Sequence, residues 1–515
     1  MLLKRPQNAP TKSNILLNDW QPSSQTYANS ISNKITTIQY QYSRLIESAE
    51  AFYITYDDNC KALKKNQKLI SAYKEQIKFL EDYKSKNGKL PKIKNQESSS
   101  RYLVRLHHLL DKTNHQQSDL QQNIRQQQMD NAERLERICE QVLSMLSGLH
   151  SFNQFIGSLI LSSPSADSKN RCLRNEKSKP LLIGALSVLL FDHLRRNKQL
   201  KCRYLAPLAE QIFKHQDETI DYSLIAHKSA FSDSLRTAKC GQYMPDDIRN
   251  EYDQLILKPL LRAALVHSIG RYSPAAKALF GENSYQKLPN KQRAKLLDAI
   301  YNHSQFYISS FTQLNPDDKD NLQSYQLSQH ILQRLQVTND PMGDLLRLPM
   351  VFASVALSTK ENYNYQQIHA CNQIFLAGLK ANQYRKDYTQ NLQKILGRFP
   401  IGSGVYFIQE ENGEIEKALV SSLLPFDEDE PIAKQVTRRQ LQFIGSGELI
   451  ICQESNLYFA ETRKLSYLSP QVLELKFGNH FSWDATEVWD LQISSAQFWR
   501  TDGSLKINGR YVKYR

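Results

Sequence analysis

The sequence predicts a mainly α protein in three parts: a long N-terminal antiparallel coiled-coil hairpin, an all-helical central domain and a small β-rich C-terminal module. Three observations carry this expectation. Apolar residues recur every seven positions from Ile35 to Leu80, a dense helical region follows residue 180, and after residue 400 short apolar runs are broken by Gly, Asn and Pro. The boundaries fall at 1–30 for a flexible arm, 31–161 for the hairpin, 162–180 for a linker, 181–399 for the helical domain and 400–515 for the β-rich module.

Residues 1–30 are polar with Pro and Asn, the composition of a loose arm. The first helix carries one apolar series at Ile35, Tyr42, Ala49, Tyr56, Leu63, Ile70 and Ile77. A second runs through Ile38, Leu45, Phe52, Asn59, Asn66, Tyr73 and Leu80. A seven-residue repeat keeps one seam on one side of an underwound helix, as a left-handed coiled coil requires. The two Asn residues in the seam sacrifice stability and fix register. Asn87-Gly88 ends this helix, and a second begins near Ser100 with Leu103, Leu106, Leu110, Thr113, Leu120 and Ile124. It resumes after a stutter with Leu135, Ile138, Val142, Met145 and Leu149. Its centre, His115 to Asn131, is rich in Gln and weak as a seam. Two helices of similar length joined by a short loop fold back as an antiparallel hairpin, with pairing to a second subunit as the rival arrangement.

Ser-Ser-Pro-Ser-Ala-Asp-Ser-Lys-Asn opens the stretch 162–180, which reads as linker. Leu181 to Phe191 is the longest apolar run, too short to span a bilayer and suited to a buried helix. The β-rich module is read from Val405–Ile408, Ala418–Ser422, Leu449–Cys452 and Leu457–Phe459. Asn412-Gly413 and Asn508-Gly509 serve as hairpin turns, and Arg510 to Arg515 as a basic terminal strand. Trp483, Trp489 and Trp499 are assigned to its core.

Composition narrows the function. Lys and Arg total 66 against 52 Asp and Glu, a net charge of +14 spread over 515 residues without a dense basic tract. A solvated basic surface is expected, and nucleic acid is not the expected partner. The seven cysteines are scattered with no C-x-x-C pair, so neither a zinc ribbon nor a disulfide framework is predicted and a cytoplasmic setting fits. The first residues lack the apolar core of a signal peptide, and no membrane association is expected. No G-x-x-x-x-G-K-[ST] or G-x-G-x-x-G loop is present. Asp427-Glu428-Asp429-Glu430 reads as a solvated acidic loop, without the spacing of a calcium-binding helical hand.

The stretch that organises the centre is Leu260 to Arg271, an apolar helical run closing in His267-Ser268-Ile269-Gly270-Arg271, with Gly270 placed to stop the helix. It resembles the His-Asp-Ile-Gly-Lys signature of the HD phosphohydrolase superfamily. The order of further landmarks is similar to the HD-GYP branch, phosphodiesterases that hydrolyse cyclic di-GMP with two or three metal ions held by His and Asp. On that resemblance the lone family His falls at His227, the His-Asp pair at His267 and Ser268, and the next His at His303 behind a Leu288-Pro289 helix start. The double-His motif is reduced to His330, and Gly-Tyr-Pro survives only as Asn339-Asp340-Pro341. The next ligating Asp falls near Phe352; Ala356-Leu357-Ser358 and Tyr363 follow the family order, and Leu396 to Val405 stands where its terminal strands open.

The resemblance covers roughly 200–425 and implies a metal site, yet both carboxylate positions are lost. Ser268 removes a charge that would bridge two cations, and Phe352 puts an apolar ring at a ligand position. The expectation is a degenerate HD-GYP-like domain with no catalytic residue, no cofactor and no metal. Its vestigial positions are His227, His267, Ser268, His303, His330 and Phe352. The expected role is regulation or scaffolding in bacterial signalling, through a protein partner or self-association of 31–161, with a cyclic nucleotide as a candidate ligand. The alternatives are an active metal-dependent phosphodiesterase with unusual ligands and a nucleic-acid-binding protein.

Overall fold

The computed structural model describes residues 31–91, 98–146, 148–163, 168–214, 246–281, 285, 288–312, 314, 319–360, 363, 365–436, 447–486, 498–499, 504–507 and 510–513. The chain is mainly helical with a small C-terminal mixed sheet. The expected arm at 1–30 and Trp489 lie outside the described residues.

Helix α1 (Ile31–Asn87) and α2 (Ser99–Ser144) run antiparallel, as two cross-helix bonds show. Thr55 Oγ1 donates to Gln127 Oε1 at 3.2 Å and Tyr102 Oη to Gln76 Oε1 at 3.0 Å. Gly88, at φ 70°, supports the break after Asn87, and Ser98 caps α2 by accepting from Arg101 N. Only the far end of the pair forms a separate apolar cluster, with Ile77, Leu80 and Leu106 buried at its heart. The first half of the α1 seam has another use. Ile35, Ile38, Tyr42, Leu45, Ala49 and Phe52 belong to the main core. Tyr42 Oη donates to Leu265 O (2.8 Å), and Phe52 stacks on Phe306. A seven-residue repeat and an amphipathic helix docked on a globular body share nearly the same spacing, so the pattern alone did not separate them. Asn59 and Asn66 are half-buried.

Two boundaries differ from the sequence expectation. The second long helix stops at Ser144, and Leu149–Leu161 forms a separate, almost wholly buried helix, α3. The stretch read as linker is largely helix: α4 spans Ser168–Arg196 with Pro180 inside it. Its Ser and Asn residues are accommodated because they have tertiary or backbone partners. Gln39 Nε2 donates to Ser178 Oγ and Asn175 Nδ2 to Ser358 O, each at 2.8 Å.

The body continues with α5 (Leu205–Ile212), α6 (Asp246–Tyr252), a π-helical turn (Asp253–Leu257), α7 (Lys258–Val266) and a 3-10 turn (Ile269–Tyr272). Then come α8 (Pro274–Phe280), α9 (Asn290–Ser309), α10 (Lys319–Arg334), α11 (Pro341–Ala356), a second 3-10 turn (Tyr365–Ala370), α12 (Cys371–Lys380) and α13 (Lys386–Leu396). Every residue of α7 is buried, including Lys258 and Arg262.

The C-terminal strands are β1 (Gly404–Ile408), β2 (Ile415–Val420), β3 (Ile432–Val436) and β4 (Glu448–Ile450), then β5 (Ser482–Trp483), β6 (Ser504–Ile507) and β7 (Arg510–Lys513). Two short helices, α14 (Ala460–Leu465) and α15 (Pro470–Phe477), precede β5. The sheet order is β5-β1-β2-β3-β4-β6-β7, antiparallel except where β4 meets β6. The Leu457–Phe459 run is not a strand; Asn456 beside it makes an isolated bridge to Phe407. The sheet is docked on α3. Trp499 Nε1 donates to Ser158 Oγ at 2.8 Å, and Asn153 bonds both Ser422 Oγ and Leu423 N at 2.9 Å. Trp483 and Trp499 are buried, and Trp483 Nε1 is shared between Val405 O and Ala418 O. One core thus runs from the root of α1 through the helical body to Trp499. Among the described residues no helix is long and apolar enough to cross a membrane.

Candidate functional site

The C-terminus of α7 is finished by side chains. Tyr42 supplies the donor for Leu265 O, and the His267 ring supplies one for Ala264 O at 2.6 Å, a pairing that puts the proton on Nδ1. His267 and Ser268 are partly buried in the turn that follows. Gly270 does not stop the helix through a left-handed backbone. It lets the 3-10 turn press against α9: a Cβ there would sit 2.1 Å from Ile300 O, 2.8 Å from Ser304 N and 2.9 Å from the His303 Cβ. Gly270 N donates to Ser304 Oγ at 2.9 Å.

His303 is therefore brought close to the His267-Ser268 turn through Gly270, but its ring points elsewhere. Its Nδ1 lies 2.8 Å from Ala299 O, its ring meets the edge of Tyr53, and Tyr53 Oη donates to His303 O. His330 is exposed on α10 with its ring 6.1 Å from Tyr204. Phe352 is a fully buried core residue of α11. Asp340 serves as the N-cap of α11, accepting from Met342 N and Gly343 N, with Pro341 in the first turn. His227 lies outside the described residues.

Backbone pairing through Nδ1 leaves Nε2 of His267 and His303 as the free ligand atom, an orientation that metal-bound imidazoles share. A centre also needs those atoms to converge with others. Among the described residues, the three-member group of His, Cys, Asp and Glu ligand atoms within 4.8 Å of one another is Glu430, Cys452 and Glu454, at the rim of the sheet. His267, His303 and His330 do not form one. Ser268 and Phe352, where the resemblance would put carboxylates, offer no anionic oxygen beside these rings.

Burial pulls the His267 imidazolium down to about 4 from its ordinary 6.5. The bond to Ala264 O opposes the shift and the Lys179 ammonium adds to it. The folded chain thus keeps His267 neutral while the unfolded chain takes up a proton as pH falls below 6.5. The stability this ring confers is present above pH 6.5 and is lost progressively towards pH 4. Thermal midpoints measured stepwise across that window are expected to fall less steeply in His267→Asn than in the parent. Equal slopes would refute the assignment. His369, also pulled down to about 4 by burial, acts in the same direction in both proteins.

What the turn does assemble is a polar cluster against the first half of α4. Glu176 is the hub: Arg271 Nε pairs with Oε1 at 2.9 Å, Tyr272 Oη donates to Oε1 at 3.0 Å and Tyr285 Oη to Oε2 at 2.6 Å. The Arg271 guanidinium also lies 4.1 Å over the Phe280 ring. Lys179, one turn along α4, faces the same place. Burial, then the neighbouring Arg271 charge, pull its ammonium down to about 8, with Glu176 opposing them.

Glu176 and Lys179 were missed because they fall in the supposed linker. The signal available was spacing: Cys172, Asn175, Glu176 and Lys179 share one helical face just ahead of the apolar run at Leu181. The fold and site define a mainly helical protein with a polar turn packed between α9 and α4, and a small mixed sheet docked on α3. No protein-family model, no curated protein and no solved structure matches the chain.

Proposed function

We propose that this chain is a cytoplasmic, non-hydrolytic regulatory or scaffold protein, built on a degenerate HD-GYP-like helical domain with the α1–α2 pair as its arm for protein contacts. The observation that carries the reading is the divergence of His267, His303 and His330 where a bridging carboxylate is replaced by Ser268. Imidazoles without an anionic oxygen between them do not hold two cations side by side, and water near them is not ionised at neutral pH. For the arm, support comes from its far end, where Phe79 and Val104 are 63% and 69% exposed beside the packed Ile77–Leu80–Leu106 cluster. Incubating the purified full chain with cyclic di-GMP and manganese is expected to give no turnover and no stoichiometric transition metal by elemental analysis. Turnover abolished by EDTA would reject the reading in favour of a phosphodiesterase with unusual ligands.

A further inference from the structure

We propose that the outer part of the α1–α2 arm, residues 61–112, is a docking surface for the phosphodiester backbone of a nucleic-acid duplex, held without regard to base sequence. Averaged over the chain the positive charge looks diffuse, but the fold gathers it. Residues 61–112 hold 14 Lys and Arg against five Asp and Glu, a net +9 of the chain's +14 within 52 of its 515 residues. The chain turns back at Gly88, so the two halves of this stretch lie side by side, with Tyr102 bonded to Gln76 across them. All twelve Lys and Arg described in it are exposed. The longest segments outside the described residues, 1–30 and 215–245, carry net charges of +2 and −1, so neither supplies the counter-charge.

The densest part is Lys61-Ala62-Leu63-Lys64-Lys65-Asn66-Gln67-Lys68. Lysines at i, i+3, i+4 and i+7 share one face of α1, and all four are exposed while Leu63 and Ile70 on the other side are half-buried. Lys61 Nζ lies 3.5 Å from Asp58 Oδ1, whereas Lys64, Lys65 and Lys68 have no ion pair among the described residues. Like charges at these spacings oppose the helix, and no α1 residue between Tyr53 and Ile77 is buried to offset them. A row of ammonium groups kept on such a stretch fits a surface whose counter-charge arrives with a partner.

The shape of the charge selects the occupant. From Lys61 to Lys86 it extends over ~38 Å of helix. A compact anion would meet only a few of these groups, whereas a duplex presents a phosphate every ~1.7 Å along its axis. Lysines meet phosphates as point charges and carry no base readout there. Gln116, Gln121, Gln122 and Gln126, exposed on the adjoining stretch of α2, add amides that donate to phosphate and sugar oxygens. An anionic membrane would take an open apolar face, and here Ile77, Leu80 and Leu106 close that face between the two helices.

The inference goes beyond the non-hydrolytic reading of the body and rests on none of its histidines, so absence of binding leaves that reading standing. The test uses the full chain, with fluorescence anisotropy on duplex DNA and duplex RNA of about 20 mixed-sequence base pairs across a salt series. Saturable binding is expected, with log affinity falling against log salt at a slope of about −4 or steeper. Lys61→Gln, Lys64→Gln, Lys65→Gln and Lys68→Gln combined should melt at or above the parent, since their mutual repulsion is gone. The same variant should bind about 10-fold more weakly, its salt slope shallower by close to one for each lysine that met a phosphate. Lys65→Gln with Lys68→Gln should lose an intermediate amount. Gln at Lys291, Lys295, Lys380 and Lys386, exposed on the body, removes as much charge and should leave binding at the parent's level. Tighter binding of one duplex identifies DNA or RNA as the source of the backbone. Anionic phospholipid vesicles form the parallel arm. Vesicle binding without duplex binding, no duplex binding at low salt, or equal losses in the arm and body variants would overturn the proposal.

Discussion

Glu136→Gln is expected to destabilise the chain by about 3 kcal/mol, because it leaves a buried guanidinium without its counter-ion. Arg262 on α7 is 1% exposed. It makes a two-pronged pair with Glu136 of α2, Nε to Oε1 and Nη2 to Oε2, the latter at 3.1 Å. Its Nη1 donates to Ser324 Oγ at 2.8 Å, and its plane lies 4.2 Å over the Tyr325 ring. Tyr325 Oη returns to Glu136 Oε1 at 3.0 Å, and Lys258 Nζ reaches Glu140 at 3.0 Å. These contacts fasten the root of the α1–α2 arm to the body, so the thermal midpoint should fall. Replacing both partners, Glu136→Met with Arg262→Met, should recover most of the loss, since a matched apolar pair leaves no orphaned charge. A Glu136→Gln protein that melts with the parent would refute this account of the root.

A methyl group at position 270 is expected to do comparable damage. Gly270→Ala places a Cβ 2.1 Å from the Ile300 carbonyl oxygen and 2.8 Å from the Ser304 nitrogen. Both obstacles are backbone of α9, which cannot rotate aside as a flexible side chain would, so the whole 3-10 turn must lift. Overpacking of this kind costs about 3 kcal/mol. The lift would also part Gly270 N from Ser304 Oγ and disturb the Arg271–Glu176 pair one residue on. Gly148→Ala is the control, since nothing lies within 4 Å of a Cβ there and its backbone is extended. It should cost less than about 1 kcal/mol. Equal melting of the two variants would refute the close-approach argument.

How much of this was legible in the sequence follows from where each signal resides. The long helices were legible because their apolar spacing is local, and their break at Gly88 and restart at Ser98 are chemical punctuation. The hairpin strands around Asn412-Gly413 were legible for the same reason: Gly413, at φ 68°, makes the turn that sets Ile408 opposite Ile415. Strand β3 was not, because Ile432-Ala433-Lys434-Gln435-Val436 reads as half polar. Lys434 is buried there all the same, its ammonium bonded to Phe498 O from far along the chain. Helix α4 was misread as linker in its first half because the partners of Cys172 and Asn175 lie more than 180 residues away. Of the site, the His267 to Arg271 turn was visible as a motif. That Gly270 is there for contact with α9, and that Glu176 collects Arg271 and Tyr272, depends on helices brought together only by folding.

The arm has a polar waist. On α1 no residue between Tyr53 and Ile77 is buried, and on α2 none between Thr113 and Asn131. In the antiparallel register Thr113 lies opposite the middle of that α1 stretch, so neither helix contributes a buried side chain over about 20 Å, at ~1.5 Å per residue. Mechanically it is a compliant stalk between two firm ends. A sideways load on the far end is expected to bend this stretch before it reaches the guanidinium-carboxylate pair at the base.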